Sequence, residues 1–241
     1  MVTKGLAPTR TRAQALIGAG KVKVDGRLAD KAGQPVCAES HVEIARPDHP
    51  YVSRGGVKLA HAIDHFQLAV EGWRCLDVGA STGGFTDCLL RRGVSVVYAV
   101  DVGYGQLHWG LRNDPRVVPL ERTNIRHLSP GALDGTVDLV TVDTSFISLR
   151  IVVPAAISLV RAGGLILALV KPQFEVGRGR VGKGGIVKDP ALHKEVLDEL
   201  CDFFQGTLGL DVLGVTTSPV LGAKGNKEFF VLSRRPDSPL V

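Results

Sequence analysis

Four charged residues have types and positions suited to moving a proton or stabilising a developing charge. Asp143 stands in VTVDTSF, Lys171 in ALVKPQFE, Glu228 in NKEFFVL and Lys58 in YVSRGGVKLAHAI. Asp143 and Lys171 close apolar runs that read as buried strands, Glu228 opens another, and Lys58 falls on a helix. In open α/β sheets, ligands bind outside the carboxyl ends of the strands. Asp143 and Lys171 are therefore expected to flank a ligand site. Spacing alone fits a structural ion pair equally well.

The sharpest local signal is LDVGASTGGFT at 76–86. A buried strand runs into a glycine-rich turn that opens a helix. Glycines let backbone approach a ligand closely, and a helix start offers free N–H donors. Candidate ligand contacts are Asp77, Gly79, Ser81, Gly83, Gly84 and Phe85. Asp101 follows at the end of the next strand, where a carboxylate can accept both hydroxyls of a ribose. Loop and acid together predict an adenosine cofactor. The dinucleotide pattern G-x-G-x-x-G lacks its second glycine here, which favours S-adenosylmethionine over a pyrophosphate.

Three decoys compete. Gly79–Gly83 also spells the G-x-S-x-G nucleophile elbow. A hydrolase normally places several strands before that elbow, and His193 falls early in a long helix. Gly177–Lys183 matches G-x-x-x-x-G-K, but Gly184 stands where magnesium binding needs Ser or Thr. Five glycines with Arg178, Arg180 and Lys183 suggest instead a basic loop able to hold a phosphate backbone, or a simple connection. His61 and His65 share a helix face, yet nothing nearby completes a metal set, so no metal is expected.

The elements that must carry these residues follow a βαβ rhythm. Strands are expected at 75–79, 96–101, 117–120, 137–143 and 165–171. The apolar stretch 147–170 is broken by Arg150, Pro154, Arg161 and Gly163-Gly164, too often for a membrane span. It reads as a core helix, a tight turn and a core strand. A helix over 191–208 precedes two runs, 211–218 and 228–233, joined only by a loop and hence antiparallel. This predicts the α/β Rossmann-like sheet of S-adenosylmethionine-dependent methyltransferases, ending in an antiparallel strand pair.

A small α+β module is expected ahead of it. Residues 1–46 hold a short helix, a strand turning at Asp25-Gly26 and a strand at Val42–Ile44. Residues 47–60 form a linker and the start of a connecting helix, and 61–241 the sheet domain. The net charge of +5 resides wholly in residues 1–60, which hold ten basic and five acidic side chains against nineteen of each beyond. That asymmetry suggests a polyanion partner. Candidate RNA contacts are Arg10, Arg12, Lys21, Lys23, Arg27, Arg54, Arg178, Arg180 and Lys183. Four scattered cysteines and a polar Met1–Arg12 segment fit reduced thiols and a cytoplasmic protein.

SRGGVKL, LDVGASTGGFTD, YAVDVGYGQL, ERTNIR, VDTSFISL, LVKPQFE and GNKEFF, in that order, resemble the TlyA family of ribosomal RNA 2′-O-methyltransferases, related to the FtsJ/RrmJ class. The resemblance covers nearly the whole chain. It implies a Lys-Asp-Lys-Glu catalytic tetrad at Lys58, Asp143, Lys171 and Glu228. It also implies S-adenosylmethionine contacts at Gly79, Gly83, Phe85, Asp101 and Asn124, where relatives carry Asp at the last position. Arg10–Gly26 resembles an S-four-type RNA-binding domain shortened at its front. Ribosomal RNA or ribosomal subunits are the implied partner. Base methylation is disfavoured because Asp143–Phe146 lacks the prolines of N/D-P-P-Y/F. A non-catalytic RNA-binding protein is the third alternative. Family members also bear the label hemolysin, but no spanning or lipidation motif supports a pore.

Overall fold

The computed structural model describes residues 1–237 other than 8, 19, 30, 45–48, 178 and 183. Contacts divide the chain into two units, Met1–Pro50 and Tyr51–Val241. In the first, helix α1 (Arg10–Gly18) begins after Thr9, whose carbonyl accepts the Ala13 N–H at 3.0 Å. Gly20, at φ +65°, ends it. Strands β1 (Val22–Val24) and β2 (Arg27–Leu28) form a hairpin around Asp25 and Gly26, both at positive φ, as a tight two-residue turn requires. β3 (Val42–Ile44) pairs antiparallel on the other side of β1. The Asp25 carboxylate accepts the His41 N–H at 2.8 Å, which ties the turn to β3 and holds that carboxyl below its usual range.

The second unit carries helices α2 (Gly55–His65), α3 (Gly84–Arg91), α4 (Trp109–Arg112), α5 (Leu149–Ile157), α6 (Pro172–Glu175) and α7 (Pro190–Asp202). Its strands are β4 (Arg74–Val78), β5 (Val96–Val100), β6 (Val117–Leu120), β7 (Val137–Val142), β8 (Val160–Val170), β9 (Asp211–Thr217) and β10 (Phe229–Arg234). The sheet order is β6-β5-β4-β7-β8-β10-β9. Pairs from β6 to β8 are parallel, and β10 runs antiparallel to both neighbours. This is the expected α/β architecture, with β10 inserted between β8 and β9.

Alternation along the strands explains the two layers. Leu76, Val100, Val140, Ile166 and Val231 pack with Val152, Val153, Val196 and Leu200 of α5 and α7. Cys75, Val97, Leu139, Leu167 and Phe230 pack with Leu59, Ile63, Phe85 and Leu89 of α2 and α3. A sheet buried on both faces explains the near-continuous apolar runs.

Two expectations are corrected. The strand expected over 165–171 starts earlier, at Val160. The chain turns at Ser158 and Leu159, and the glycine pair is a bulge inside β8, with Gly163 at φ +69°. Gly163 N–H and Gly164 C=O bond across to Arg235 at 2.9 Å each, so the ladder continues there. The helix expected over 191–208 stops at Asp202 and widens into a π turn, Phe203–Thr207, ahead of Gly209 at φ +64°. Among the described residues, no helix is long and apolar enough to cross a membrane.

Candidate functional site

Sheet order sets the place. β4 has β5 on one side and β7 on the other, so a crevice opens at its carboxyl end. Gly79, Asp101, Asp143 and Lys171 directly follow β4, β5, β7 and β8. Because β10 is antiparallel and Phe229 faces Val170, the residue before it, Glu228, reaches the same edge. Lys58 enters from α2.

The four charged residues meet there as two ion pairs. Lys58 Nζ lies 2.6 Å from Glu228 Oε2, and Lys171 Nζ lies 2.6 Å from Asp143 Oδ1. Lys171 also donates to Ser145 Oγ at 2.9 Å. Glu228 is 2% exposed and Lys171 8%. Each ion has an opposite partner, the condition under which buried charges are tolerated. Gly222 makes room for Glu228, since a Cβ there would fall 1.8 Å from Glu228 Oε1.

Two clefts adjoin this cluster. One, of about 330 Å³, is lined by Ser53, Arg54, Lys58, Asp143, Ser145, Lys171 and Gly222 together with Gly79, Ser81, Gly84 and Phe85 of the glycine loop. The other, of about 390 Å³, is lined by Gly79, Ser81, Asp101, Asn124, Ile125, Asp143, Ser145 and Phe146. Both fall in the size range of small-molecule sites, and they share Gly79, Ser81, Asp143 and Ser145.

The loop is shaped by close backbone approach. Gly79 sits at φ +86°, and a Cβ on it would lie 2.6 Å from the Asp143 carbonyl oxygen. Gly83, at φ +93°, lines neither cleft, and a Cβ on it would run into Leu107 and Leu111; Phe85 packs near Phe230. Asp101 accepts the Ser81 N–H at 2.8 Å and the Gly103 N–H at 2.7 Å. Each oxygen keeps a second lone pair for a hydroxyl donor. Asn124 Oδ1 caps the following turn through the Arg126 N–H at 3.1 Å.

Asp77 does not reach either cleft. It lies fully buried beneath the loop, accepting from Thr86 Oγ1 at 2.7 Å and Thr141 Oγ1 at 3.3 Å. Burial pushes its pKa up to about 7; the Thr86 and Thr141 hydroxyls oppose the rise, and the Asp143 charge adds to it.

The remaining candidates are dispersed. Arg10, Lys21, Lys23 and Arg27 are exposed on the first unit. Arg54 is exposed at the start of α2. Arg180 makes a two-pronged pair with Glu195 of α7. Arg178, Lys183 and the side chain of Arg12 lie outside the described residues. The decoys separate from the site: His193 is buried against the Val187 carbonyl and Phe229, and His61 stacks on His65. No metal-holding cluster occurs among the described residues.

Sequence reasoning passed over Ser145 and Glu175, although both stand inside the motifs it singled out. Glu175 accepts from Ser148 Oγ at 2.6 Å and the Leu149 N–H at 2.9 Å, tying the loop after β7 to α6. Burial raises its pKa. Gly222 carried no signal, because its partner was invisible in the sequence.

Similarity to known families follows the same division of the chain. The family of FtsJ-like methyltransferases matches residues 51–235, and the S4 domain matches residues 1–42. The 16S/23S rRNA (cytidine-2′-O)-methyltransferase TlyA of Mycobacterium tuberculosis is 50% identical over 235 residues, 97% of this chain and 87% of that one. Hemolysin A of Brachyspira hyodysenteriae is 39% identical over 94% of each chain. The solved structure described as "Putative hemolysin from Streptococcus thermophilus" superposes with a TM-score of 0.79 at 41% identity, over 98% of this chain and 86% of that one.

Proposed function

We propose that this chain, which belongs to the FtsJ-like methyltransferase family, transfers a methyl group from S-adenosylmethionine to a ribose 2′-hydroxyl of ribosomal RNA. The observation that carries this reading is the pairing of Lys58 with Glu228 and Lys171 with Asp143 beside the glycine loop. The relative TlyA is named for cytidine 2′-O-methylation of 16S and 23S rRNA, which supports the same substrate class here.

The residues fit the cofactor. Gly79 brings bare backbone to the lining of both clefts. Asp101 offers acceptors for ribose hydroxyls, and Asn124, Ile125 and Phe146 line the cleft beyond it. When bound, S-adenosylmethionine supplies a methyl already activated by a sulfonium. Much of what the protein must add is positioning.

Lys171 orients the 2′-hydroxyl and receives its proton. Asp143 and Ser145 hold the Lys171 amine in place. Lys58 lines the same cleft, held from behind by the buried Glu228. The exposed Arg10, Lys21, Lys23 and Arg27 would meet RNA phosphates, which position a substrate more than they specify it.

The test is transfer of labelled methyl to ribosomal particles and naked rRNA by the wild type and Lys171→Ala side by side. Label in ribose with the wild type alone, and cofactor affinity intact in the variant, is the expected result. Label on a base, or wild-type turnover by Lys171→Ala, would refute the assignment.

A further inference from the structure

We propose that Ser145 is a positioning residue for this reaction, one that fixes which direction of the Lys171 amine faces the cleft. The inference rests on the methyltransferase reading above and adds a member to its machinery. Lys171 can take up a proton only after its ammonium has released one to solvent; the resulting amine has two N–H bonds and one lone pair, arranged tetrahedrally. Lys171 Nζ meets two acceptors, Asp143 Oδ1 at 2.6 Å and Ser145 Oγ at 2.9 Å. With both N–H bonds engaged, the lone pair takes the remaining direction, toward the cleft that Lys171 lines. With Asp143 alone, nothing fixes rotation about the Cε–Nζ bond, and the lone pair is no longer held toward the substrate.

The loop that carries Ser145 is held at both ends. Asp143 N–H bonds to the Val78 carbonyl at 2.9 Å. At the far end, Ser148 and Leu149 are clamped by Glu175, four residues beyond Lys171. Between them Phe146 sits at φ +63°, with its ring 5.0 Å from Phe174. The Ser145 hydroxyl, exposed at the mouth of the site, is thus located relative to Lys171 by a loop anchored at both ends. It also lines both clefts, so it stands where the two substrates must meet.

The step balances with Lys171 as acceptor. The 2′ oxygen forms a bond to the methyl carbon as the carbon–sulfur bond breaks, and its electron pair stays on sulfur. The O–H bond breaks, and the proton ends on Lys171 Nζ, giving an ammonium held by the same two acceptors.

The experiment compares full-length wild type, Ser145→Ala and Ser145→Thr. It measures kcat and KM for ribosomal particles, S-adenosylmethionine affinity by calorimetry, and Tm. Ser145→Ala should lower kcat about 10- to 100-fold, the effect of losing one hydrogen bond to the ammonium that forms as Lys171 takes the proton. KM, cofactor Kd and Tm should stay near wild type. Ser145→Thr keeps an oxygen at the same position and should recover kcat to within a few-fold. Ser145→Ala turnover within twofold of wild type would overturn the role. So would a loss that tracks Tm or cofactor affinity, or a threonine variant as poor as the alanine. A wild type that transfers no methyl to ribose would instead bring down the underlying reading, and this role with it.

Discussion

Asp77 is a carboxylic acid whose proton should be visible in the stability of the fold. Its pKa rises from 3.8 to about 7 because burial penalises the charged form more than two hydroxyl donors favour it. Between those values the folded chain holds a proton that the unfolded chain has released. The unfolded state binds fewer protons there, so stability falls as pH rises. The contribution is fully present below about pH 4 and lost as pH passes 7. About three pKa units at ~1.4 kcal/mol each amount to on the order of 4 kcal/mol. Asp77→Asn preserves the shape, keeps one acceptor for Thr86 and cannot titrate. The unfolding free energy of the variant minus that of the wild type should therefore climb by about that amount from pH 4 to 7. Subtraction removes groups common to both proteins. Urea unfolding followed by tryptophan fluorescence is the assay, because Trp73 and Trp109 both lie in the second unit. A difference that stays flat across this range, or falls, would show that Asp77 is ionised throughout and that the threonine bonds outweigh burial.

Other perturbations bear on the site and on the first unit. Gly222→Ala places a methyl 1.8 Å from Glu228 Oε1, so Glu228 must leave Lys58; kcat should drop about 100-fold, as for a 1 Å misplacement of a reacting group, while cofactor affinity by calorimetry stays near wild type. Replacing Lys21 and Lys23 together by Ala should weaken rRNA binding and flatten its dependence on log salt by about 1.4 to 1.8 in slope, for two lost phosphate contacts. Filter binding across a salt series checks this, and an unchanged slope would remove both lysines from the RNA interface.

Strand positions were legible because each parallel strand is a short β-branched run cut off by a glycine or a charge. The glycine loop and Asp101 were legible for the same reason: the chemistry sits where the run stops. The bulge at Gly163-Gly164 was not, because two glycines signal a turn unless the pairing with Arg235 is known. Partners were hidden as well. Nothing local links Lys58 to Glu228, and only the reversed direction of β10 brings Glu228 beside Lys171. Asp77 shows the opposite limit. Its place in the motif suggested a ligand contact, whereas the fold turns it inward beneath Thr86 and Thr141. Ser145 was passed over because a lone serine in a loop announces nothing until a lysine is found 2.9 Å away.

The Lys58–Glu228 pair joins residues 170 positions apart, and this orders events during synthesis. At roughly 5–20 residues per second, about 10–30 s pass between making one partner and the other. Lys58 must wait in water for that time, since a cation left unmatched in the interior is costly. The last strands therefore act as the closing step that dries the cleft. A nascent chain arrested before residue 228 would already display the basic first unit without the completed charged cluster. Binding to RNA and competence to modify it would then be acquired at separate moments in the life of the chain.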